Sequence, residues 1–253
     1  MQLNLKKSHL APLFLLFLLL SCGKDELKIG RENPEMEIQK CIQLSNKKDY
    51  EKAVECLEIF KSRFPESPQG QEAELRIADN YFNKKDYLIA AETYQGFIRF
   101  HPFHAQVDYA TYRTGLSYLK ELPKAIDRDQ QYLEQAIDLF EKVIVNFPES
   151  AYQKPAAHDL ADAKRRQARR HFYIGRFYYR TGEYKASIGR FKEVVEKFQE
   201  KGLNGRALYY LVHSHLKLGQ KPEAEGYLQQ LQTGYPESRW KKKAEKKWNR
   251  SKN

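Results

Sequence analysis

From residue 34 to residue 240 one pattern of apolar and polar positions keeps returning. In "YFNKKDYLIAAETYQGFIRFHP", Tyr81 precedes a polar break, Tyr87 follows it, and Ala90, Tyr94 and Phe97 then share one helical face before Pro102 stops the run. "IGRFYYRTGEYKASIGRFKEVVEKF" has the same order in Gly175, Tyr178, Gly182, Tyr184, Ser187 and Phe191, with Gln199 where the proline belongs. "KKDYEKAVECLEIFKSRFP" carries Tyr50, Ala53 and Pro65, and "YLVHSHLKLGQKPEAEGYLQQLQTGYP" carries Gly219, Ala224, Leu228 and Pro236. Each copy predicts two helices: a small residue where they cross closely, and large side chains one or two turns away to fill the next layer.

The spacing of about 34 residues is that of a tetratricopeptide repeat, so the predicted fold is all-α, a solenoid of about five helix-turn-helix repeats and about ten helices. The third copy is interrupted. Its first helix, "YATYRTGLSYLKEL", ends near Leu122, its second begins near Tyr132, and 123–131 is an insertion. "FPES" at 64–67 and 147–150, "YPES" at 235–238 and "FHPFH" at 100–104 punctuate the copies. In "FPES" the aromatic packs the last turn, the proline cannot continue it and serine caps the next helix; "FHPFH" reads as a worn copy. Ser67 is followed by Pro68, which suits a first helical position, and Ser150 by Gln153, a capping box.

With 253 residues, 41% hydrophobic and 30% charged, and a mean hydropathy of -0.77, the chain is long enough for a sizeable core but made of thin amphipathic elements. A formal charge of +11 raises nucleic acid as a partner. The N-terminus argues against that compartment. Lys6 and Lys7 precede an apolar run, Leu13–Leu20, too short to span a bilayer stably, and then Ser21-Cys22-Gly23. This predicts a signal peptide over 1–21. "LLSC" resembles a bacterial lipobox, which implies that Cys22 becomes an acylated first residue, with 22–33 as a linker. Several acyl chains, at about 0.8 kcal/mol per buried CH₂, hold a domain firmly on a membrane. Gly23 after the cysteine, by resemblance to enterobacterial sorting, implies the periplasmic face of the outer membrane. The plain alternative is an ordinary cleaved signal with a chance cysteine.

Catalytic and metal-binding patterns are absent from the sequence: there is no GxSxG, Walker loop, GxGxxG or HExxH. His101 and His104 flank a proline turn, and His213 and His215, two apart, point different ways on a helix. The expectation is no enzyme, no cofactor and no metal. Most aromatics fall on repeat core positions, so no nucleic-acid platform is expected. Cys41 and Cys56 read as two small buried apolar residues on neighbouring helices, with a disulfide between them the alternative in a compartment that permits one. Two basic runs remain, "KRRQARR" at 164–170 and "RWKKKAEKKWNR" at 239–250. Solvated faces are the plain reading; the second, continuing as a tail over 241–253, could also touch anionic lipid or an acidic partner.

Three stretches carry a more specific likeness. "HPFHAQVDYATYRTGLSY", with Pro102, His104, Asp108, Tyr109, Tyr112, Gly115 and Leu116, "DRDQQYLEQAIDLFEKVIVNFPESAY", and "QARRHFYIGRFYYRTGEYKASIGRF", with Ala168, Gly175, Tyr178, Gly182, Tyr184 and Arg190, resemble the BamD family of outer-membrane β-barrel assembly lipoproteins. The chain departs from the family at His171, where glutamate is usual, at Thr114, where arginine is common, and at Gln69, where an aromatic is frequent. The resemblance implies a scaffold that binds a BamA-like barrel through its POTRA domains, alongside other assembly lipoproteins, and receives unfolded outer-membrane proteins by their C-terminal signal. It implies substrate binding in the N-terminal repeats, 34–122, and partner binding in the C-terminal ones, 132–240. Groove-facing positions of the first three repeats are Ile42, Leu75, Phe82, Asn83, Tyr109, Tyr112 and Arg113; packing against neighbouring helices is the alternative for several of them and the plain reading for Tyr109 and Leu116. Arg190 is expected to meet an acid on the partner, supported by Arg180 and Tyr184, unless it pairs internally with Glu193 or Glu183. Two other functions fit an anchored repeat protein: an adaptor of the Tol and peptidoglycan system, and a secretin pilotin.

Overall fold

Two backbone corners, repeated along the chain, set the architecture. The computed structural model describes residues 33–198 and 201–252, so the expected signal peptide and Cys22 lie outside the described residues. Five antiparallel pairs follow one another: α1 (Pro34–Asn46) with α2 (Tyr50–Arg63), α3 (Pro68–Lys84) with α4 (Tyr87–Phe100), α5 (Val107–Glu121) with α6 (Tyr132–Asn146), α7 (Gln153–Thr181) with α8 (Tyr184–Lys197), and α9 (Lys201–Lys217) with α10 (Lys221–Gly234). α11 (Arg239–Arg250) closes the row, and there is no strand among the described residues. The expected all-α repeat solenoid is the observed fold, with eleven helices described where about ten were expected.

The first corner lies within a pair. α1, α3, α7 and α9 each end in a left-handed residue, Lys48, Lys85, Gly182 and Gly219, with φ of 62°, 74°, 85° and 73°. The residue after it donates its N–H five positions back, Asp49 to Leu44 (3.0 Å), Asp86 to Tyr81, Glu183 to Tyr178 and Gln220 to His215 (2.9 Å each), and so starts the second helix. The insertion 123–131 takes the place of this corner in the third pair.

The second corner lies between pairs and explains "FPES". Phe64, His101, Phe147 and Tyr235 each stand directly before a proline and adopt nearly one conformation, φ from -127° to -139° and ψ from 51° to 61°. The proline ring bars the residue before it from the α region, so the helix ends there. Phe198, followed by Gln199, stays in the α region at φ -110° and ψ -13°. Ser67 and Ser238 then cap α3 and α11, accepting from Gly70 N (2.9 Å) and Trp240 N (3.1 Å). The capping box expected at Ser150 does not form. Its hydroxyl accepts from Tyr152 N (3.0 Å), not from Gln153 N, and donates to Asp108 Oδ2 of α5 (2.5 Å), a charge-assisted bond, and α7 starts later, at Gln153.

Packing follows the repeat. The second helices bury a stripe at i, i+4 and i+7: Ala53, Leu57 and Phe60; Ala90, Tyr94 and Phe97; Ala136, Phe140 and Val143; Ser187, Phe191 and Val194; Ala224, Leu228 and Leu231. Glycine on the facing helix admits the ring. A Cβ on Gly115 or Gly175 would stand 2.9 Å from a ring carbon of Phe140 or Phe191. α7 runs on for 29 residues, about 43 Å. Ala156, Leu160 and Ala163 of its first half pack with the third pair, and Phe172 and Tyr179 of its second half with the fourth and fifth.

Two expectations are corrected. Cys41 and Cys56 form a disulfide between α1 and α2, their Cα atoms 5.4 Å apart. They are buried apolar residues as expected, but on facing rather than merely neighbouring positions. The run at 164–170 is not simply a solvated face. Arg166 donates to Gln130 Oε1 (2.5 Å) and to the Pro123 carbonyl, and Arg170 to the carbonyls of Ile126 (2.5 Å) and Arg128 (3.0 Å), so both satisfy the backbone of the insertion.

Gly175→Ala is expected to cost about 1–3 kcal/mol in urea unfolding despite alanine's better helix propensity, and Phe191→Leu in the same chain to recover most of it. Cys41→Ala with Cys56→Ala, or reduction, is expected to lower stability by about 3 kcal/mol, the value for a loop of 15 residues.

Candidate peptide-binding face

The first helices of successive pairs meet along one face of the repeats, and on it α3 and α5 build a polar cluster around Asp79. The hydroxyls of Tyr94 (α4) and Tyr109 (α5) both donate to Asp79 Oδ1. Arg113, one turn beyond Tyr109, donates through Nε to the Tyr94 hydroxyl (3.0 Å), places Nη2 3.6 Å from the same carboxylate oxygen, and lays its guanidinium 3.8 Å from the centre of the Phe82 ring. Burial, and then the charge of Asp79, hold the Tyr94 and Tyr109 phenols far above their ordinary pKa. Beside them Tyr112 stacks on Tyr152 (5.5 Å between centroids, 18° between planes) and donates to Asp159 Oδ2 (2.9 Å); burial, and then that bond, push it up to about 12.

Two adjoining hollows open over this cluster. One, of about 410 Å³, has Pro68, Leu75, Tyr109 and Tyr152 among its walls; the other, of about 300 Å³, has Asn46, Asn83 and Arg113. Arg76, Asp79 and Tyr109 belong to both. Arg76 is held by Glu72 (2.8 Å) and Arg113 by Asp79, so each cation in the floor is already matched by an acid. Such a surface offers aromatic walls and exposed amides. It suits an extended peptide with aromatic side chains better than an anion seeking a free cation.

The sequence-derived set is therefore partly united. Arg113 lies over the rings of both Phe82 and Tyr109, Tyr112 stands beside them, and Asn83 and Leu75 line the hollows. Ile42, 8% exposed, packs in the core of the first pair and lines neither. Asp79, Tyr94 and Tyr152 were missed. Only their placement across helices marks them out, although Tyr94 was visible as a core aromatic.

At the other end Arg190 lines a separate hollow of about 290 Å³ with Arg170, His171 and Glu134. It forms no ion pair with Glu183 or Glu193 among the described residues; Glu193 is taken by Lys197 (2.7 Å). Burial, and then the charge of Arg190, lower the pKa of His171, so the histidine stays neutral where the family resemblance expects a glutamate. Tyr184 packs edge-on against Tyr179 (5.8 Å), and Arg180 is exposed in the last turn of α7; neither lines the Arg190 hollow.

Comparison with known proteins bears on the whole of this frame. The profile of a family described as YfiO, outer membrane lipoprotein, matches residues 32–227. An outer membrane protein assembly factor BamD of Rickettsia prowazekii is 33% identical over 199 residues, 79% of each chain. The chain belongs to the BamD family. BamD of Neisseria meningitidis is 29% identical over 204 residues, 76% of each chain, and BamD of Caulobacter vibrioides 27% identical over 192 residues, covering 76% of this chain and 63% of its own. A tetratricopeptide protein of Thermus thermophilus superposes loosely, with a TM-score of 0.38 at 15% identity, over 87% of this chain and 98% of its own. No helix among the described residues is long and apolar enough to cross a membrane, and no group of three or more potential ligands there could hold a metal.

Asp79→Ala is expected to destabilise the chain by about 1.5–3 kcal/mol, because it strands the Arg113 guanidinium and two phenols. Asp79→Asn, which keeps an acceptor, is expected to cost less, and Arg113→Met added to Asp79→Ala to recover part of the loss. Chemical denaturation of the set checks this.

Proposed function

We propose that the chain is an outer-membrane-associated scaffold for the assembly of β-barrel proteins, anchored through acylated Cys22 and facing the periplasm. Membership of a family whose relatives are named outer membrane protein assembly factors supports the assembly role. The observation that carries the finer reading is the double hollow over Asp79. Its aromatic walls, with Asn83 at one edge, suit the C-terminal targeting segment of an unfolded barrel protein, which is extended and rich in aromatics. The C-terminal repeats bind a BamA-like barrel through its POTRA domains, with other assembly lipoproteins alongside. Arg190 supports this role because it forms no ion pair among the described residues and borders an open hollow; a partner carboxylate can take it in two parallel hydrogen bonds. Arg180 and Tyr184 lie at the neighbouring turn and would extend that contact.

A photocrosslinking residue at Asn83 is expected to capture the C-terminal segment of an outer-membrane protein, and one at the exposed Ile59 of α2 to capture far less. Arg190→Glu is expected to reduce recovery of the BamA-like subunit from detergent-solubilised membranes without changing thermal stability. Recovery of a Tol component or a secretin in its place would reassign the chain to the adaptor or pilotin role. Equal capture at Asn83 and Ile59 would remove the hollow from the mechanism.

A further inference from the structure

α11 breaks the ordinary rules for a surface helix. Its first turn holds Arg239, Lys241 and Lys242 and no acid, although the free N–H groups there already carry partial positive charge. Arg239 and Lys243, Lys242 and Lys246, and Lys246 and Arg250 are like charges one turn apart, each pair unfavourable for the helix. The chain tolerates this because Ala244 is fully buried and Trp240 and Trp248, one turn to either side, pack against the last core cluster, Trp240 lying 5.4 Å from Tyr209. The helix is therefore held by its inner face, and the charge on its outer face must be explained separately.

That outer face is uniform. Arg239, Lys242, Lys243, Lys246 and Arg250 are all exposed, and none has a carboxylate partner among the described residues. The helix's one acid, Glu245, sits on the flank, where Gln232 Nε2 donates to it (2.9 Å). Arg239 and Lys243 lie 4.8 Å from the Trp240 ring, a contact that leaves their charge uncompensated. None of the exposed large hydrophobic side chains of the molecule is on α11. A protein partner is usually gripped by a central aromatic or aliphatic anchor, and lysine is depleted in such interfaces. A convex row of hydrated point charges without an anchor fits instead a diffuse anionic surface, where each basic residue adds attraction independently and no fixed geometry is needed.

We propose that the outward arc of α11 docks on the phosphate headgroups of an anionic membrane leaflet, by charge alone and without insertion, as a contact additional to any lipid anchor. It does not depend on the assembly role.

The test uses the chain from Glu32 to Asn253, the compact unit that contains every core cluster and lacks residue 22, so that no acyl group contributes. It is expected to sediment with phosphatidylglycerol vesicles and not with phosphatidylcholine vesicles, and to be released as salt is raised. Lys242→Gln with Lys246→Gln is expected to weaken partition about 30-fold, two charges at the usual attraction for a basic residue near such a surface. Lys242→Glu with Lys246→Glu is expected to abolish it while leaving thermal stability equal or higher, since positions 242 and 246 merely exchange one like pair for another, while an acid at 246 then stands one turn from Arg250 and an acid at 242 enters the first turn. Equal partition onto neutral vesicles, or partition indifferent to salt or to these pairs, overturns the proposal. Retention of the chain by an acidic polypeptide with none by anionic vesicles also overturns it, and assigns the arc to a protein.

Discussion

A two-helix hairpin of this length cannot bury its apolar stripe by itself, and everything else in the structure answers that constraint. Each pair must present one ridge to its partner helix and another to the next pair, so every core side chain serves two layers. The rings of Phe140 and Phe191 can do so only because Gly115 and Gly175 have no side chain in their way. The arrangement is intolerant of angular error, because a slip between the two helices of a hairpin would move its ring off the glycine gap. The two repeated corners supply that accuracy. A left-handed residue with its five-back hydrogen bond fixes the turn inside a pair, and a pre-proline residue fixes the turn between pairs.

Where the third pair lacks the inner corner, the chain replaces local geometry with a tertiary brace. The insertion 123–131 is held by Arg166 and Arg170, and both come from a helix long enough to pack on the third pair with its first half and on the fourth and fifth with its second. α7 thus carries alignment across the one place where repeat geometry fails. Ser150 belongs to the same repair, because its bond to Asp108 ties the corner before α7 back to α5.

How much of this was legible follows from how local each cause is. The helix pairs, their small and large positions and the proline corners depend on neighbours in sequence, and they stand where the pattern put them. The disulfide depends on which faces of α1 and α2 meet, and the sequence left it open. Of the candidate peptide-binding face, Phe82, Tyr109, Tyr112 and Arg113 were visible as face positions, but Asp79 was not. A carboxylate in "RIADNYF" looks like any solvated acid until three other helical positions converge on it. Ile42 erred in the opposite direction: periodicity places it on the inner helix row but cannot say that α2 and α3 close over it.

The distribution of paired charge separates the two ends of the molecule. Near the N-terminus Arg63, Arg76, Lys84 and Arg113 each have an acid within reach, Glu37, Glu72, Glu51 and Asp79. A surface neutralised in this way holds its shape and recognises a ligand by contour, aromatic contact and amide hydrogen bonds. Toward the C-terminus Arg190 and the outer row of α11 have no such partners among the described residues, and His171 stays uncharged beside Arg190 where a glutamate would neutralise it. Unpaired cations repel one another and lower the stability of the helices that carry them. Negative charge from outside the chain relieves that cost and is attracted in proportion to it. The same solenoid therefore presents a self-satisfied face at one end and an electrostatically incomplete one at the other. On the proposed reading, a ligand selected for shape and partners selected for charge would use different residues and need not compete.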